Sequence, residues 1–479
     1  MRYLLLIALF NSLISFGQGG VALLYEEMPT DSIVPLSVEH HSSVKPSIRA
    51  QRPIDGLINI GLNEQLYFAH ITPIADLNYR YNETSQYRTG GGLNLESSFS
   101  EKWYLRASFM GGIGSGDSLF HSKAYWYNAD STSYSYADLR GRLSYTPNRI
   151  FNFQVGLDHN FIGEGNRSLF LSDYGKPHPF GQIRAQFWRV EYSVLYQFFR
   201  EEVGTDWKRK NGATHHISLN ATKWLNIGIF ETVVFQPKDT LLNRGYDVEY
   251  LNPVIFYRPQ EYALGSSDNV LLGVSFSAKY TQHMLYGQFV LDEFSLTEYK
   301  AKTGWWANKY GGQLGIKGRF ATNKSHWFYR LEYNAVRPYT YAHLNEGQNY
   351  GNQGNTLAHP YASNFMEILG EVKFQHKRWI VKAFASYFLK GEDKDGLSYG
   401  GNLYQPYTNR PYEYGHFTGQ GQGNNGLRIM ATLAFKVHRH SDLQAFFENQ
   451  LRYDTMTGDL KYLPTIGLRS QLWNDYRNY

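Results

Sequence analysis

Three residue types that serve in hydrolytic enzymes lie close together between positions 159 and 173. His159, Ser168 and Asp173 have the base, nucleophile and acid types of a hydrolase triad. Proximity along the chain does not produce triad geometry, and the sequence contains no G-x-S-x-G nucleophile motif. The intervening "GEGNR" is glycine-rich, but no Lys-Ser or Lys-Thr pair follows it as in a phosphate-binding loop. We therefore predict no catalytic residue and no enzymatic activity.

Metal sites and cofactors are not indicated either. The chain has no cysteine, which excludes disulfides, thiolate-bound metals and a cysteine nucleophile. The acidic run "GEDKDG", from Gly391 to Gly396, lacks the ligand spacing and the terminal Glu of an EF-hand loop. A net charge of +5 with interspersed signs gives no basis for nucleic-acid binding.

Two irregular polar segments are better suited to binding a ligand. The first, 160–182, carries Asn160, Glu164, Arg167 and Asp173; the second, 250–273, carries Tyr257, Arg258, Glu261, Asp268 and Asn269. Aromatic faces stack on the apolar faces of sugars, and carboxylate, amide and guanidinium groups hydrogen-bond to sugar hydroxyls. We predict that these residues bind carbohydrate; the alternative is that they pin each loop to itself or to neighbouring strands. A tyrosine-rich run from Tyr404 to Phe417 suits contact with protein or glycan.

The elements that must position these segments have period two. Apolar and polar residues alternate over 313–320, 326–334, 366–374 and 428–437. Successive side chains of a β-strand point to opposite faces, so each window predicts a strand with one apolar and one polar face. The predicted fold class is therefore all-β.

Short and long connections alternate between these strands. Short ones are predicted near positions 100, 146, 222, 280, 321, 375 and 438, and long polar ones at 113–135, 159–181, 201–213, 236–267, 293–308, 337–363 and 390–425. Aromatic residues make up 16% of the chain, yet the mean hydropathy is −0.47. Strands that alternate lipid-facing apolar with lumen-facing polar residues produce this combination. We predict a single transmembrane antiparallel β-barrel of about 18 strands, with short periplasmic turns and long extracellular loops.

Three regions are predicted along the chain. Residues 1–18 have the basic start, apolar core and small residues of a secretory signal peptide. Residues 19–55, which prolines interrupt, are expected to form an irregular periplasmic N-terminal lead or plug, and residues 56–479 the barrel. An even strand number places both termini in the periplasm of a Gram-negative bacterium, with outer-membrane lipid and lipopolysaccharide around the barrel.

Charges of both signs are predicted on the lumen faces of the strands. They are Lys317, Arg319, Arg330, Glu332, Glu367, Glu371, Lys373 and Arg428. Pairing between them would partly fill the interior, and long loops that fold inward would close it further. The alternative is an ion-selective path through the barrel.

Three motifs resemble a known family. They are "NFIGEGNRSLFLSDYGKPHPF" from Asn160, "NPVIFYRPQEYALGSSDNVLLG" from Asn252 and "LYGQFVLDEF" from Leu285, in this order. Together they resemble the capsule-assembly Wzi family, and most closely its RemB-like gliding-motility branch. The motifs span roughly residues 150–295. The N-terminus departs from the family, whose capsule proteins have a periplasmic helical part there.

The resemblance implies an outer-membrane barrel that interacts with surface polysaccharide, and its motility branch implies a role in gliding movement. Two alternatives stay open. One is an accessory barrel subunit of a larger secretion or motility complex, with other outer-membrane proteins as partners. The other is a porin-like channel.

Overall fold

The structure is a computed structural model. It describes residues 20–22, 41–49, 58–61, 68–82, 84–100, 102–116, 124–130, 132–203, 206–238, 245–253, 268–322, 324–437 and 443–470. The predicted signal peptide and most of the predicted lead lie outside the described residues. Tyr257, Arg258 and Glu261 also lie outside them.

Eighteen long antiparallel strands of the described chain form a closed barrel. They are β1 Phe68–Asn82, β2 Thr84–Ser100, β3 Trp103–Ser115, β4 Ser133–Tyr145, β5 Phe151–Asp158, β6 His178–Phe187, β7 Val190–Val203, β8 Asp206–Asn220, β9 Leu225–Phe235, β10 Asn269–Tyr280, β11 His283–Leu291, β12 Tyr310–Thr322, β13 Ser325–Val336, β14 Phe365–His376, β15 Trp379–Glu392, β16 Gln422–Lys436, β17 Leu443–Asp454 and β18 Leu460–Ser470. Each pairs with the next, and β18 closes the barrel on β1 from Thr465 opposite Arg80 to Arg469 opposite Asp76. The predicted all-β barrel is confirmed.

Several shorter elements accompany the barrel. The short strands are Gly20–Ala22, Val44–Lys45, Ser47–Arg49, Ile58–Gly61, Trp126–Ala129, Phe161–Ile162, Gly351–Asn352 and Asn355–Thr356. Within the described ranges, an α-helical turn, α1, spans Leu296–Lys300, and 3-10 turns span Val248–Leu251, Glu346–Gln348 and Tyr407–Asn409. Among the described residues, no helix is both long and apolar enough to cross a membrane.

The period-two pattern sorts side chains between the two faces of the barrel. Large apolar side chains project outward and stay exposed on the outer wall, among them Leu93, Phe109, Val155, Val274, Leu314, Leu331 and Ile466. Their neighbours in sequence point into the lumen, where polar and charged side chains are buried. The outer wall is therefore a continuous apolar surface suited to lipid.

All connections at one end of the barrel are short, whereas the other end carries the long loops together with the close β1–β2, β7–β8 and β17–β18 connections. Short turns join β2 to β3, β4 to β5 and every second pair thereafter, and β1 begins and β18 ends at that same end. Exposed tryptophans line the short-turn end: Trp103, Trp188, Trp224, Trp327 and Trp379. Such an aromatic girdle is typical of a membrane interface. The long loops 159–177, 236–268, 292–309, 337–364 and 393–421 lie at the other end.

One predicted long loop is wrong. Residues 201–213 belong mostly to a hairpin, because β7 runs to Val203 and β8 starts at Asp206. Cross-strand pairs such as Glu201 with Lys208 continue the ladder to its tip. Near the tip the charged residues alternate weakly, so the period-two pattern fades although the strands persist.

Candidate functional site

The segment between β5 and β6, residues 159–177, folds into the barrel lumen instead of projecting from its end. We call it the lumen loop. The ammonium group of Lys317 on β12 lies 2.8 Å from the carboxylate of Glu164 in this loop. The amide of Asn166 reaches the carboxylate of Glu371 on β14 at 3.3 Å. The predicted outer position of this loop is therefore wrong.

Arg167 sits at the centre of the lumen loop and is fully buried. Its Nε lies 3.7 Å from Oε2 of Glu367 on β14, and its backbone N–H donates to Glu332 on β13 at 3.2 Å. His359 joins the cluster, with its Nε2 at 2.8 Å from the same oxygen of Glu367. The charged side chains that were predicted on the lumen faces therefore bind the lumen loop and also pair with one another.

The other two predicted residues of this segment are also buried. The Asn160 side-chain oxygen accepts a hydrogen bond from the Arg142 guanidinium at 3.0 Å, and Asp173 lies farther along the loop. The Ser168 hydroxyl donates to the Ile162 carbonyl at 2.5 Å. The His159 ring bonds to the Gly175 carbonyl at 2.7 Å. Two of the three triad-type residues, Ser168 and His159, are therefore engaged with the loop backbone.

A second segment, residues 41–46, enters the lumen beside the lumen loop. Val44 and Lys45 pair as a short antiparallel ladder with Ile162 and Phe161. The Gly163 N–H donates to the Ser43 carbonyl at 2.7 Å. From β6, the Arg184 guanidinium donates to the Pro46 carbonyl at 2.8 Å. Residues 41–46 are thus held by both the lumen loop and the barrel wall.

Loops 337–364 and 393–421 cover the long-loop end of the barrel. From loop 337–364, the Asn345 amide reaches Gln236, just after β9, at 2.9 Å, and the Gln353 N–H donates to the Arg200 carbonyl on β7 at 3.0 Å. From loop 393–421, the Tyr404 hydroxyl donates to Glu201 at 3.1 Å. Both loops therefore cross the mouth from β13–β16 to the opposite wall.

Asp268 and Asn269 help to hold this cover. The Gln348 amide donates to the Asp268 carboxylate at 2.8 Å, and the Asn269 amide donates to the Gln348 carbonyl at 2.9 Å. The Tyr250 hydroxyl donates to Asp268 at 2.8 Å. Of the predicted binding residues, the structure thus places Asn160, Glu164, Arg167 and Asp173 in the lumen loop, and Asp268 and Asn269 under the cover.

The stacked segments close the lumen around the central charges. Arg167 and His359 have 0% of their surface exposed, and Glu367 and Glu332 have 1%. In an open, water-filled channel such wall charges would be hydrated. In the part of the chain that the structure describes, these side chains therefore block the lumen at this depth.

An exposed aromatic segment lies on loop 393–421, above the closed mouth. Tyr412, Tyr414 and Phe417 have 41%, 54% and 60% of their surface exposed. We call residues 410–417 the aromatic segment. It falls in the tyrosine-rich run noted in the sequence, but its residues were not among the predicted binding residues. Composition identified the run, and only the fold distinguishes its exposed rings from half-buried ones such as Tyr404 and Tyr407.

The aromatic segment is fixed by backbone pairing with loop 292–309. The Trp306 N–H donates to the Glu413 carbonyl, the Gly415 N–H to the Thr303 carbonyl and the His416 N–H to the Gly304 carbonyl, at 3.1, 2.8 and 2.8 Å. Beneath it, the Trp306 ring lies 4.3 Å from the Arg410 guanidinium and 4.5 Å from the Tyr407 ring. The exposed rings are therefore carried on a preorganised backbone.

His416 fixes the inner side of the aromatic segment. Burial lowers the pKa of its imidazole, so the ring is neutral near pH 7. Its Nε2 lies 2.9 Å from the Tyr412 carbonyl and must donate to it, which leaves Nδ1 to accept from the Gln420 amide at 2.8 Å. This arrangement ties Tyr412 to the base of the loop.

No group of three or more histidine or acidic side chains in the described part of the chain is arranged to hold a metal ion. The ionised groups instead form pairs, including Arg330 with Glu371 at 2.6 Å and Arg410 with Glu413. The site can therefore bind a ligand through ring faces, hydrogen bonds and paired charges.

The sequence matches no protein-family profile and no curated protein. Its structure is similar to that of Wzi from Escherichia coli, described as an outer-membrane protein involved in group 1 capsule assembly and a carbohydrate-binding β-barrel. The TM-score is 0.56 at 13% identity, over 84% of each chain. OprD of Pseudomonas aeruginosa (TM-score 0.43, 9% identity, 84% of this chain and 96% of that one) is also similar. So is OccAB4 of Acinetobacter baumannii (0.44, 8%, 84% and 96%). The similarity to Wzi, together with the closed 18-strand barrel, shows the fold of a Gram-negative outer-membrane barrel.

Proposed function

We propose that the protein is a non-catalytic outer-membrane barrel that binds surface polysaccharide at its long-loop end. The observation that carries this proposal is the aromatic segment, with Tyr412, Tyr414 and Phe417 exposed on a fixed backbone. Rigid aromatic rings offer large contact area at a low cost in conformational entropy. Sugar rings present apolar faces that pack on them.

Polar groups beside these rings suit sugar hydroxyls. The Arg410–Glu413 ion pair lies on the same segment, and the Glu413 side chain is 54% exposed. A guanidinium supplies several donors and a carboxylate several acceptors, which together match vicinal hydroxyls. The similarity to a carbohydrate-binding barrel supports the same ligand class.

Orientation follows the rule for barrels of this class. We place the long loops outside the cell and both ends of the barrel chain in the periplasm. With this orientation, residues 41–46 enter the lumen from the periplasmic side. The aromatic segment faces the medium, where capsule or other surface glycan is found.

The predicted binding residues receive a different role in this proposal. Glu164 and Arg167 hold the lumen loop, while Asp268 and Asn269 hold the cover beneath the outer surface. Their contact with glycan would require these segments to move. Tyr257, Arg258 and Glu261 stay predicted glycan contacts.

The alternatives differ in what they require of the closed lumen. A porin-like channel needs a water path past Arg167 and Glu367, which are both fully buried. A role in gliding motility, or as an accessory subunit with other outer-membrane proteins, is compatible with closure and with exposed aromatic loops. We therefore rank those roles above the channel.

The test is binding of purified protein in nanodiscs to polysaccharide extracted from the surface of the source cells. Tyr412→Ser/Tyr414→Ser/Phe417→Ser should weaken binding roughly tenfold or more, because each lost ring contact contributes about 1 kcal/mol. Tyr299→Ser is the matched control, since Tyr299 is 53% exposed on a different outer loop. Equal binding by the triple variant and the native protein would refute the proposal.

A further inference from the structure

A second exposed apolar surface lies on the outside of the barrel, just beyond the end of β11. It consists of Phe294, Leu296 and Tyr299, on and before the short turn α1, with 42%, 55% and 53% of their surfaces exposed. The turn is capped by the Ser295 hydroxyl, which accepts from the Glu298 N–H at 3.4 Å. We call residues 294–302 the rim patch.

The rim patch continues the lipid-facing wall of the barrel. The Tyr310 ring, at the start of β12, lies 6.0 Å from the ring of Phe289 on the outer face of β11. The same Tyr310 ring lies 6.1 Å from Phe294 and 6.2 Å from Tyr299. A connected chain of rings therefore leads from the apolar wall up to the patch. This position matches the interface between hydrocarbon and head groups.

Two lysines border these rings. Lys300 and Lys302 are both exposed. Of the nearby acids, Glu293 pairs with Lys309 at 3.2 Å, while the Glu298 carboxylate accepts from the Thr303 hydroxyl at 2.8 Å and keeps its charge, so two lysines face one acid within the patch. The exposed edge of the rim patch therefore carries a net positive charge beside an apolar surface.

We propose that the rim patch binds a phosphorylated glycolipid of the outer leaflet, with acyl chains against Phe294, Leu296 and Tyr299 and a phosphate at Lys300 and Lys302. The proposal rests on the orientation given above, which places the long loops outside. Apolar continuity with the wall selects a lipid rather than a soluble ligand. The two neighbouring lysines favour an anionic head group, because a lysine near a membrane surface gains about 1 kcal/mol from anionic lipid.

The experiment is native mass spectrometry of the detergent-solubilised protein with two probes, diphosphoryl lipid A and the same lipid without phosphates. Native protein should retain the phosphorylated probe, and Lys300→Ala/Lys302→Ala should bind it roughly tenfold more weakly. Lys394→Ala is the matched control, because Lys394 is exposed on loop 393–421. Tyr299→Ser should weaken retention of both probes, whereas Tyr414→Ser should leave both unchanged.

The two tyrosine variants separate this proposal from the glycan-binding one. Loss of polysaccharide binding in Tyr414→Ser together with lost lipid retention in Tyr299→Ser supports both. Equal retention of the two probes, or unchanged retention in Lys300→Ala/Lys302→Ala, overturns the lipid site whatever the polysaccharide result. Retention of a protein at the patch in place of lipid, lost in Tyr299→Ser, also overturns it.

Discussion

The Arg167 guanidinium lies 3.7 Å from the Glu367 carboxylate, and both side chains are completely buried within the barrel. One residue belongs to the lumen loop and the other to β14, so this pair joins the loop to the wall. A buried ion pair is costly to form, but removing one partner leaves a charge without compensation. The closed lumen therefore depends on keeping both residues.

Arg167→Ala should release the lumen loop from the wall. Loss of the guanidinium leaves Glu367 buried without its cation, which typically costs about 3–5 kcal/mol when a buried pair is broken. We expect measurable conductance in planar bilayers and faster protease cleavage within residues 159–177. Arg209→Ala is the control, since Arg209 is exposed near the tip of the β7–β8 hairpin. Native conductance and native protease resistance in Arg167→Ala would show that the pair does not secure the loop.

The sequence predicted most of the barrel because lipid enforces alternation. Where both faces of a strand meet water, as near Glu202 and Trp207 in the β7–β8 hairpin, that constraint ends and the sequence pattern predicts a loop instead of strands. The inward position of the lumen loop was not predictable in this way. Glu164 and Lys317 are separated by 153 positions, and no local sequence pattern indicates that they form an ion pair.

The place of residues 41–46 inside the barrel can be tested with a disulfide. Val44 lies opposite Ile162, and the neighbouring bond from Gly163 N–H to the Ser43 carbonyl makes this a non-hydrogen-bonded pair. Side chains in such pairs are the closer of the two kinds, which suits disulfide geometry. We expect Val44→Cys/Ile162→Cys to crosslink in vivo, visible as a reductant-sensitive shift after protease cleavage between the two positions.

The chain has no native cysteine, so the background of this experiment is clean. Val44→Cys/Ile466→Cys is the control, because Ile466 projects from the lipid-facing side of β18. Crosslinking in the control pair, or none in the test pair, would place residues 41–46 elsewhere.

Acid should weaken the cover of the barrel through His359. Burial holds the pKa of its imidazole below the usual value, although the facing Glu367 partly opposes this, and Arg167 and Glu332 also face it. A released loop takes up a proton below about pH 6.5, while the closed loop keeps the ring neutral. The contribution of His359 to the stability of the closed loop is therefore fully present above that pH. It is lost progressively as the pH falls toward the lowered pKa.

We expect conductance, or the intrinsic fluorescence of the protein, to change as pH falls from about 7 to about 5. His359→Gln should flatten this dependence. A glutamine amide can still donate to Glu367 and accept from the Tyr361 N–H, as the imidazole does now at 2.8 and 3.1 Å. An identical pH profile in the variant would assign the effect to other groups.

The pairing of loops 292–309 and 393–421 should depend on Gly304. This residue has a φ of +67°, and a Cβ there would come within 2.8 Å of the His416 backbone nitrogen. Gly304→Ala therefore strains the backbone and also pushes apart the strand-like pairing that carries Tyr412 and Tyr414. We expect weaker polysaccharide binding by the nanodisc-embedded variant, with the barrel itself still folded by heat-modifiability on a gel.

Gly354→Ala separates the effect of backbone strain from the effect of a clash with the aromatic segment. Gly354 has a φ of +74°, but a Cβ there meets nothing within 4 Å. An alanine in the left-handed region costs about 1–2 kcal/mol of stability at either position, so backbone strain alone predicts that both variants lose similar amounts of stability. If the aromatic segment binds glycan as a fixed surface, only Gly304→Ala should lose affinity beyond that shared cost. Equal affinity in the two variants would mean that preorganisation by loop 292–309 contributes nothing to binding.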